Sequence, residues 1–267
     1  MNCKKKSCYN TKVNLVIVVL FFLFCLIGLN TVSAQTMTSE DKWGFLIEPY
    51  IMFPYISGDI GIENLKEVQV DADPSDIFNN LHMAAMLYLE AKNNEWAITS
   101  DLVYMNLQKD VTPTRLIRSG TVTLKQTIWE LAGLYRINSY IEVGIGGRLN
   151  VLSTDLDAER NVLPEGSEEI TGHHSVTFFD PILITRLTYN INGEWLFQFR
   201  GDLGGFGVGS DFTWQLQAYA GYRFSELFQL TAGYRILGID YDKGVYEEQF
   251  IFDINEFGPV IRLGFNF

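Results

Sequence analysis

The sequence has almost no thiol chemistry to offer. Its three cysteines, Cys3, Cys8 and Cys25, all lie within the first 34 residues, and that segment reads as an address rather than as structure. Lys4, Lys5, Lys6 and Lys12 open it, and an apolar run from Val13 to Leu29, interrupted by Asn14, follows. Val32-Ser33-Ala34 then puts small or branched residues where a signal peptidase cuts. Cleavage is expected after Ala34, leaving residues 35–267 as one domain. A retained signal anchor is the alternative, because the run approaches a bilayer span of roughly 20 residues. A lipoprotein is disfavoured, since bulky Phe24 precedes Cys25. The mature chain would form no disulfide and no Cys-ligated metal site, although its compartment would permit disulfides.

Positive charge is also short. Lys and Arg number 20 against 32 Asp and Glu, a formal net charge of −12 that becomes −16 once the four leader lysines are gone. Such a surface repels phosphate backbones and excludes nucleic acid as a partner. No later segment has ~18 consecutive apolar residues, so helical membrane spans are excluded. Histidine occurs only at His82, His173 and His174. The adjacent pair points to opposite sides of an extended segment, which argues against a transition-metal site. Neither Gly144-Ile145-Gly146-Gly147 nor the cluster from Gly204 to Gly209 has the G-x-G-x-x-G spacing with a helix behind it, and no Gly-x-Ser-x-Gly elbow is present. Catalytic, cofactor-binding and metal-binding residues are therefore not expected, and neither is an enzyme.

What the chain does have is aromatics, 14% of it, recurring at every second position in the C-terminal half. From Asp211 to Phe224, Phe212, Trp214, Leu216, Ala218, Ala220 and Tyr222 share one face, opposite Thr213, Gln215, Gln217, Tyr219, Gly221 and Arg223. Phe228, Leu230, Ala232, Tyr234 and Ile236 repeat the pattern opposite Gln229, Thr231, Gly233 and Arg235. Trp195, Phe197, Phe199 and Leu203 likewise oppose Gln198, Arg200 and Asp202. A period of two is that of a strand whose faces meet different solvents. Strands are predicted near 43–57, 80–92, 95–108, 121–137, 139–154, 176–191, 194–207, 211–224, 226–241 and 248–267. That makes about ten, with eight or twelve as alternatives.

Asn93-Asn94, Asn138-Ser139, Asn192-Gly193 and Ser225-Glu226 are tight-turn signals, Asn-Gly being the best hairpin signal among them. They alternate with longer links at 58–79, 109–120, 155–175 and 242–247, and the short 208–210 is the exception. Short turns on one side and long loops on the other mark a transmembrane, antiparallel up-and-down β-barrel of an outer membrane, with both termini in the periplasm. The rival class is a soluble, lipocalin-like periplasmic binder. The last strand sets Ile261, Leu263, Phe265 and Phe267 against Arg262, Gly264 and Asn266. Phe265 and the terminal Phe267 resemble the signal that barrel-assembly machinery reads on its clients.

Arg200-Gly201-Asp202-Leu203-Gly204-Gly205-Phe206-Gly207-Val208-Gly209-Ser210-Asp211, followed by Trp214-Gln215, Gly221-Tyr222-Arg223-Phe224 and Gly233-Tyr234-Arg235, resembles a family of largely uncharacterised Gram-negative outer-membrane barrels. Glu48-Pro49-Tyr50 and Asp71-Ala72-Asp73-Pro74-Ser75-Asp76-Ile77-Phe78 are similar too. The resemblance covers most of the mature chain. It implies the fold and the location, and brings no agreed activity.

Projected onto the polar faces, Glu48, Glu90, Asp101, Glu130, Glu142 and Asp202 are expected in the lumen with Arg148, Arg186, Arg200, Arg235 and Arg262. Confined charges must pair or stay hydrated, so they form either an ion network that plugs the bore or a polar path for small solutes. The first and third long links are acidic: Asp59, Glu63, Glu67, Asp71, Asp73 and Asp76, then Asp155, Asp157, Glu159, Glu165, Glu168 and Glu169. Such carboxylates attract Ca²⁺ or Mg²⁺, which also bridge lipopolysaccharide phosphates. The expected partners are the lipid bilayer, lipopolysaccharide and the assembly machinery. The expected role is structural or adhesive, or that of a narrow passive pore. The alternative is an outer-membrane enzyme, lipid-modifying or protease-like, with its site at the outer rim. Known outer-membrane proteases place Asp and His close together there, and no Asp-x-His occurs in this sequence.

Overall fold

The computed structural model describes residues 42–62, 68–110, 117–161, 167–243 and 250–267. The leader and its expected cleavage site lie outside them. β1 (Gly44–Met52) and β2 (Tyr55–Ile62) make one ascending stave broken at Phe53-Pro54. β3 (Val68–Ala72), the short helix α1 (Pro74–Asn79) and β4 (Leu81–Lys92) make the descending stave beside it. Eight further strands follow: β5 (Trp96–Asp110), β6 (Ile117–Arg136), β7 (Ile141–Asn161), β8 (Ser167–Ile191), β9 (Trp195–Gly204), β10 (Phe212–Arg223), β11 (Phe228–Lys243) and β12 (Phe250–Asn266). Neighbours pair antiparallel from β4 to β12, and β1 pairs with both β4 and β12, so the wall closes as an all-β barrel of ten staves. At the closing seam the Phe45 N–H donates to the Phe267 carbonyl at 3.0 Å, and the Phe267 N–H donates to the Phe45 carbonyl at 2.8 Å.

The turns at the lower end explain their residues. Asn192 (φ 52°) and Gly193 (φ 75°) both adopt the left-handed conformation that a two-residue hairpin turn needs. At the other turns a side chain takes the place of a strand partner. Asn93 Oδ1 accepts from the Glu95 and Trp96 amides at 2.9 and 2.7 Å, and Asn138 Oδ1 accepts from those of Tyr140 and Ile141, both at 2.9 Å. Ser225 Oγ accepts from the Phe228 amide at 3.0 Å.

The upper end departs from expectation. Half of 109–120 and most of 155–175, expected as loops, are strand: β7 and β8 pair from Ile141–Leu187 continuously up to Asn161–Ser167, and β5 and β6 pair up to Asp110–Thr121. His173 and His174 therefore sit within β8. The 58–79 link contains the upper part of β2, all of β3 and α1. Asp73 caps α1, its Oδ1 accepting from the Asp76 amide at 2.9 Å while the Asp76 carboxylate accepts from the Asp73 amide at 3.4 Å. This reciprocal box, with Pro74 in the first turn, is why the Asp-rich stretch winds into a helix.

These extensions hold because side-chain polarity inverts with height. In the lower part Trp129, Leu131, Ile145, Phe179, Leu183, Leu230, Tyr234, Ile261 and Leu263 face outward and exposed, while charged groups are buried inside. Higher on the same strands the outward residues become Thr123, Lys125, Asp155, Asp157, His173, Asp240 and Asp253. The inward ones become Val103, Ile128, Leu152, Phe178, Leu237, Ile239, Phe250, Phe252 and Ile254, a single packed cluster. An apolar exterior is stable against hydrocarbon, whereas a polar exterior over an apolar interior is stable against water. Each of those buried side chains contributes roughly 1.5–3 kcal/mol relative to exposure. Paired backbone over an apolar filling is what turns the expected loops into strands.

The wall is unevenly laced. Rungs join β1 to β4 from Gly44–Lys92 to Pro49–Leu87. Above that, Tyr50–Met52 pair with β12 and Leu81–Met86 with β5, and no rung joins the two groups. Pro49 carries no N–H to extend the ladder. Met52, Met83 and Met86 flank this split, the adaptable side chains that an irregular gap favours.

Candidate functional site

Two features of the barrel carry chemistry: the filled bore and a crevice on its upper outer face. In the bore, all eleven side chains assigned to the lumen from strand parity are buried: Glu48, Glu90, Asp101, Glu130, Glu142, Arg148, Arg186, Arg200, Asp202, Arg235 and Arg262. They join into nodes that cross from one side of the barrel to the other. Arg148 on β7, fully buried, donates to Glu130 on β6 at 2.9 Å, Asp202 on β9 at 2.7 Å and Thr213 on β10 at 3.1 Å. Arg200 bonds Glu130 and lies 3.5 Å from Asp202 Oδ2, the same oxygen that accepts from Gln215 at 2.9 Å.

Arg186 on β8 reaches Glu142 at 2.5 Å on the adjacent strand and crosses the lumen to Glu90 and the Tyr88 hydroxyl on β4. Arg235 on β11 meets Asp101 on β5 at 3.3 Å, and Tyr50 donates to the same carboxylate at 2.7 Å. Arg262 lies 4.2, 4.8 and 5.1 Å from the ring centres of Tyr219, Tyr88 and Tyr50, with its partner Glu48 at 3.5 Å. A cation enclosed by three aromatic rings is held by their negative faces as well as by its counter-ion.

Sequence reasoning passed over two acids of this interior. Asp180 is fully buried and accepts from Asn150 Nδ2 at 3.1 Å and from the Ser210 backbone amide and hydroxyl at 2.6 and 2.8 Å. It thereby pins the β9–β10 turn. A Cβ on Gly209 would meet Asp180 Oδ1 at 2.6 Å and the Phe179 carbonyl at 2.3 Å, so this glycine is required by close approach. Glu256 is buried too. Both share parity with assigned residues, Asp180 with Arg186 and Glu256 with Arg262, and that parity is the signal that finds them. Phe267 is exposed at the end of β12, and Phe265 packs against Phe228 at 5.8 Å.

Above the charged layer the apolar cluster fills the bore, and His174 points into it, stacked on Phe250 at 5.4 Å. His173 points out. Its Nδ1 lies 2.5 Å from Asp155 Oδ1, and Lys125 Nζ donates to Asp155 Oδ2 at 3.0 Å. The bonds from His173 and then Lys125 hold the Asp155 carboxyl below its ordinary range, and the same carboxylate raises Lys125. These groups line a crevice of about 450 Å³ with Asn106, Gln108, Thr123, Asp157 and Thr171. Among the described residues no three His, Cys, Asp or Glu side chains are grouped to hold a metal ion.

No protein family profile and no curated protein sequence matches the chain. Solved structures similar to it are β-barrels. The outer membrane protease OmpT from Escherichia coli aligns over 89% of this chain and 100% of its own, at 9% identity and a TM-score of 0.48. The attachment invasion locus protein Ail of Yersinia pestis, in complex with the heparin analogue sucrose octasulfate, aligns over 84% and 98%, at 8% identity and 0.36. The toluene transporter TodX of P. putida aligns over 86% and 91%, at 10% and 0.35. At such values the likenesses say nothing of activity, and the fold is established by the closed ladder itself.

Proposed function

We propose that the chain is an outer-membrane β-barrel with a closed bore and a structural or adhesive role, presented by the part that rises out of the bilayer. The observation that carries this reading is the polarity inversion along the strands. It sets an apolar band around a charged interior and, above it, a polar exterior around an apolar core. Ion pairs running from β8 to β4 and from β11 to β5 span the lumen, and above them an apolar cluster packs residues of β5 to β8 against those of β11 and β12, which supports a closed bore. A conducting path needs a continuous hydrated route, so this filling favours an anchor over a narrow pore. Membership of the uncharacterised barrel family belongs to the same proposal, and so do lipopolysaccharide contacts, divalent cations at the outer acids and reading of Phe265 and Phe267 by assembly machinery.

Single-channel recording in planar bilayers tests it. The reconstituted protein is expected to stay silent across the accessible voltage range. Discrete conductance steps that change selectivity in Arg200→Ala or Glu130→Ala would establish a pore instead.

A further inference from the structure

The outward crevice on β5 to β8 has a polarity, a height and an unmet hydrogen bond that together specify a ligand. Lys125 lies 11 residues above Arg136 at the lower end of β6, and Asp157 lies 16 above Ile141 at the lower end of β7. With strands tilted at about 40° this puts the crevice roughly 28–40 Å up, beyond a hydrocarbon band about 25 Å tall. Directly below, the outward side chains are Tyr104, Trp129 and Phe179, and the Trp129 ring is oriented by a 3.0 Å bond from Nε1 to Ser100 Oγ. A ligand seated here would have its polar end in the crevice and its apolar end on the belt.

Asn106 lines the crevice at 8% exposure, and its Oδ1 has no hydrogen-bond partner in the protein. A buried amide oxygen without a donor is costly, which makes it an acceptor waiting for an O–H or N–H. The local charge keeps phosphates out of the crevice, because Lys125 already bonds Asp155 and Asp157 adds a second carboxylate, so a glycolipid's sugar hydroxyls, and not its phosphates, would enter it. Hydroxyls fit better: they donate to Asn106 and Asp157 and accept from Gln108 and Thr171.

The geometry points to a binding site for the sugar head group of an outer-leaflet glycolipid whose acyl chains lie along Trp129 and Phe179. This inference rests on the membrane reading above. Its test uses the full chain purified from membranes in detergent, with bound molecules counted by native mass spectrometry. The probes are rough-type lipopolysaccharide, its delipidated core oligosaccharide and phosphatidylglycerol.

Lipopolysaccharide is expected to be retained over phosphatidylglycerol. Asn106→Ala and Asp157→Asn should each weaken retention roughly tenfold, as the loss of one poorly solvated hydrogen bond does. Lys243→Met, on β11, should leave it unchanged. Because Asp157 is exposed, its variant reports even where Asn106→Ala folds poorly. Equal retention of phosphatidylglycerol, or variants without effect, would overturn the site. Oligosaccharide bound as tightly as the intact glycolipid would assign the crevice to a soluble sugar and overturn the lipid. A chain that stays folded and monomeric in detergent-free buffer would instead refute the membrane reading, a separate outcome.

Discussion

Replacing Arg148 by Met separates a sealed interior from a watery one by magnitude. The guanidinium is wholly buried and bonds Glu130 and Asp202 at 2.9 and 2.7 Å. Around it Arg148 and Arg200 balance Glu130 and Asp202, two charges of each sign, so the substitution leaves the node one negative charge in excess. Breaking a buried pair by removing one partner is destabilising by about 3–5 kcal/mol, because the remaining charge cannot be rehydrated. A solvent-exposed pair is worth only about 0–1 kcal/mol. The assay is reversible urea unfolding of the barrel in lipid vesicles, followed by tryptophan fluorescence, with the midpoint converted through an unchanged slope. The double variant Arg148→Met/Glu130→Gln restores neutrality and should recover part of the loss, giving a coupling energy from the double-mutant cycle. A loss below about 1 kcal/mol would match a hydrated pair and refute the sealed bore.

Three further outcomes are expected. Amide hydrogens of residues 82–86 that face the unlaced split should exchange faster than those of Tyr88 to Lys92, since opening there breaks no β1–β4 rung; equal protection would mean the split is laced in the membrane. Phe252→Ala, in the upper apolar cluster, should cost about 3–5 kcal/mol and expose the tops of β7 and β8 to protease first; loss of the lower barrel at the same protease dose would deny the upper core its independence. Asp240 faces Asp253 across β11–β12 above the belt. Burial, then Asp253, raises the Asp240 carboxyl, and burial, then Asp59, raises that of Asp253. The folded protein then holds these protons to higher pH than the unfolded chain. Stability therefore falls as pH rises from the ordinary carboxylate value through the raised one, and the penalty is complete at neutral pH. Asp240→Asn should gain a few tenths of a kcal/mol at neutral pH after solvent screening, and nothing in acid; a gain that persists in acid would assign the effect to packing.

The wall was legible where one rule held along a whole strand. β9, β10 and the lower part of β11, Phe228 to Ile236, alternate between residues that tolerate lipid and residues that do not, and their turns carry Asn-Gly or Ser at the positions geometry requires. The same parity identified the charged side chains of the bore, because a two-residue period leaves Arg148, Arg186 and Arg262 no other side to face. Reading failed at the height where the outside changes from hydrocarbon to water. There the inward face switches from Arg148 to Leu152 on β7, and from Arg186 through Asp180 to Phe178 on β8, while the outward face gains Asp155 and His173. A window straddling that switch contains acids, histidines and small residues in strand order with inverted meaning, and it imitates a loop.

The β1–β4 split escaped for another reason. Its cause is partly local, Pro49 without an N–H, and partly a matter of register. β2 and β3 pair so that Ile56 meets Ala72, whereas β1 and β4 pair so that Ile47 meets Leu89. The chain between those two ladders carries eight more residues than a continuous hairpin would use, since paired positions total 128 in one and 136 in the other. The Asp73–Asp76 capping box takes up that surplus as α1, and Phe78 packs on Phe53, 5.4 Å between ring centres, at the break in the neighbouring stave. A helix inserted in a barrel wall thus fixes where the wall can open. It places that opening beside Met52 and Met86 and next to Tyr50, whose hydroxyl joins the charged layer at Asp101 and Arg235.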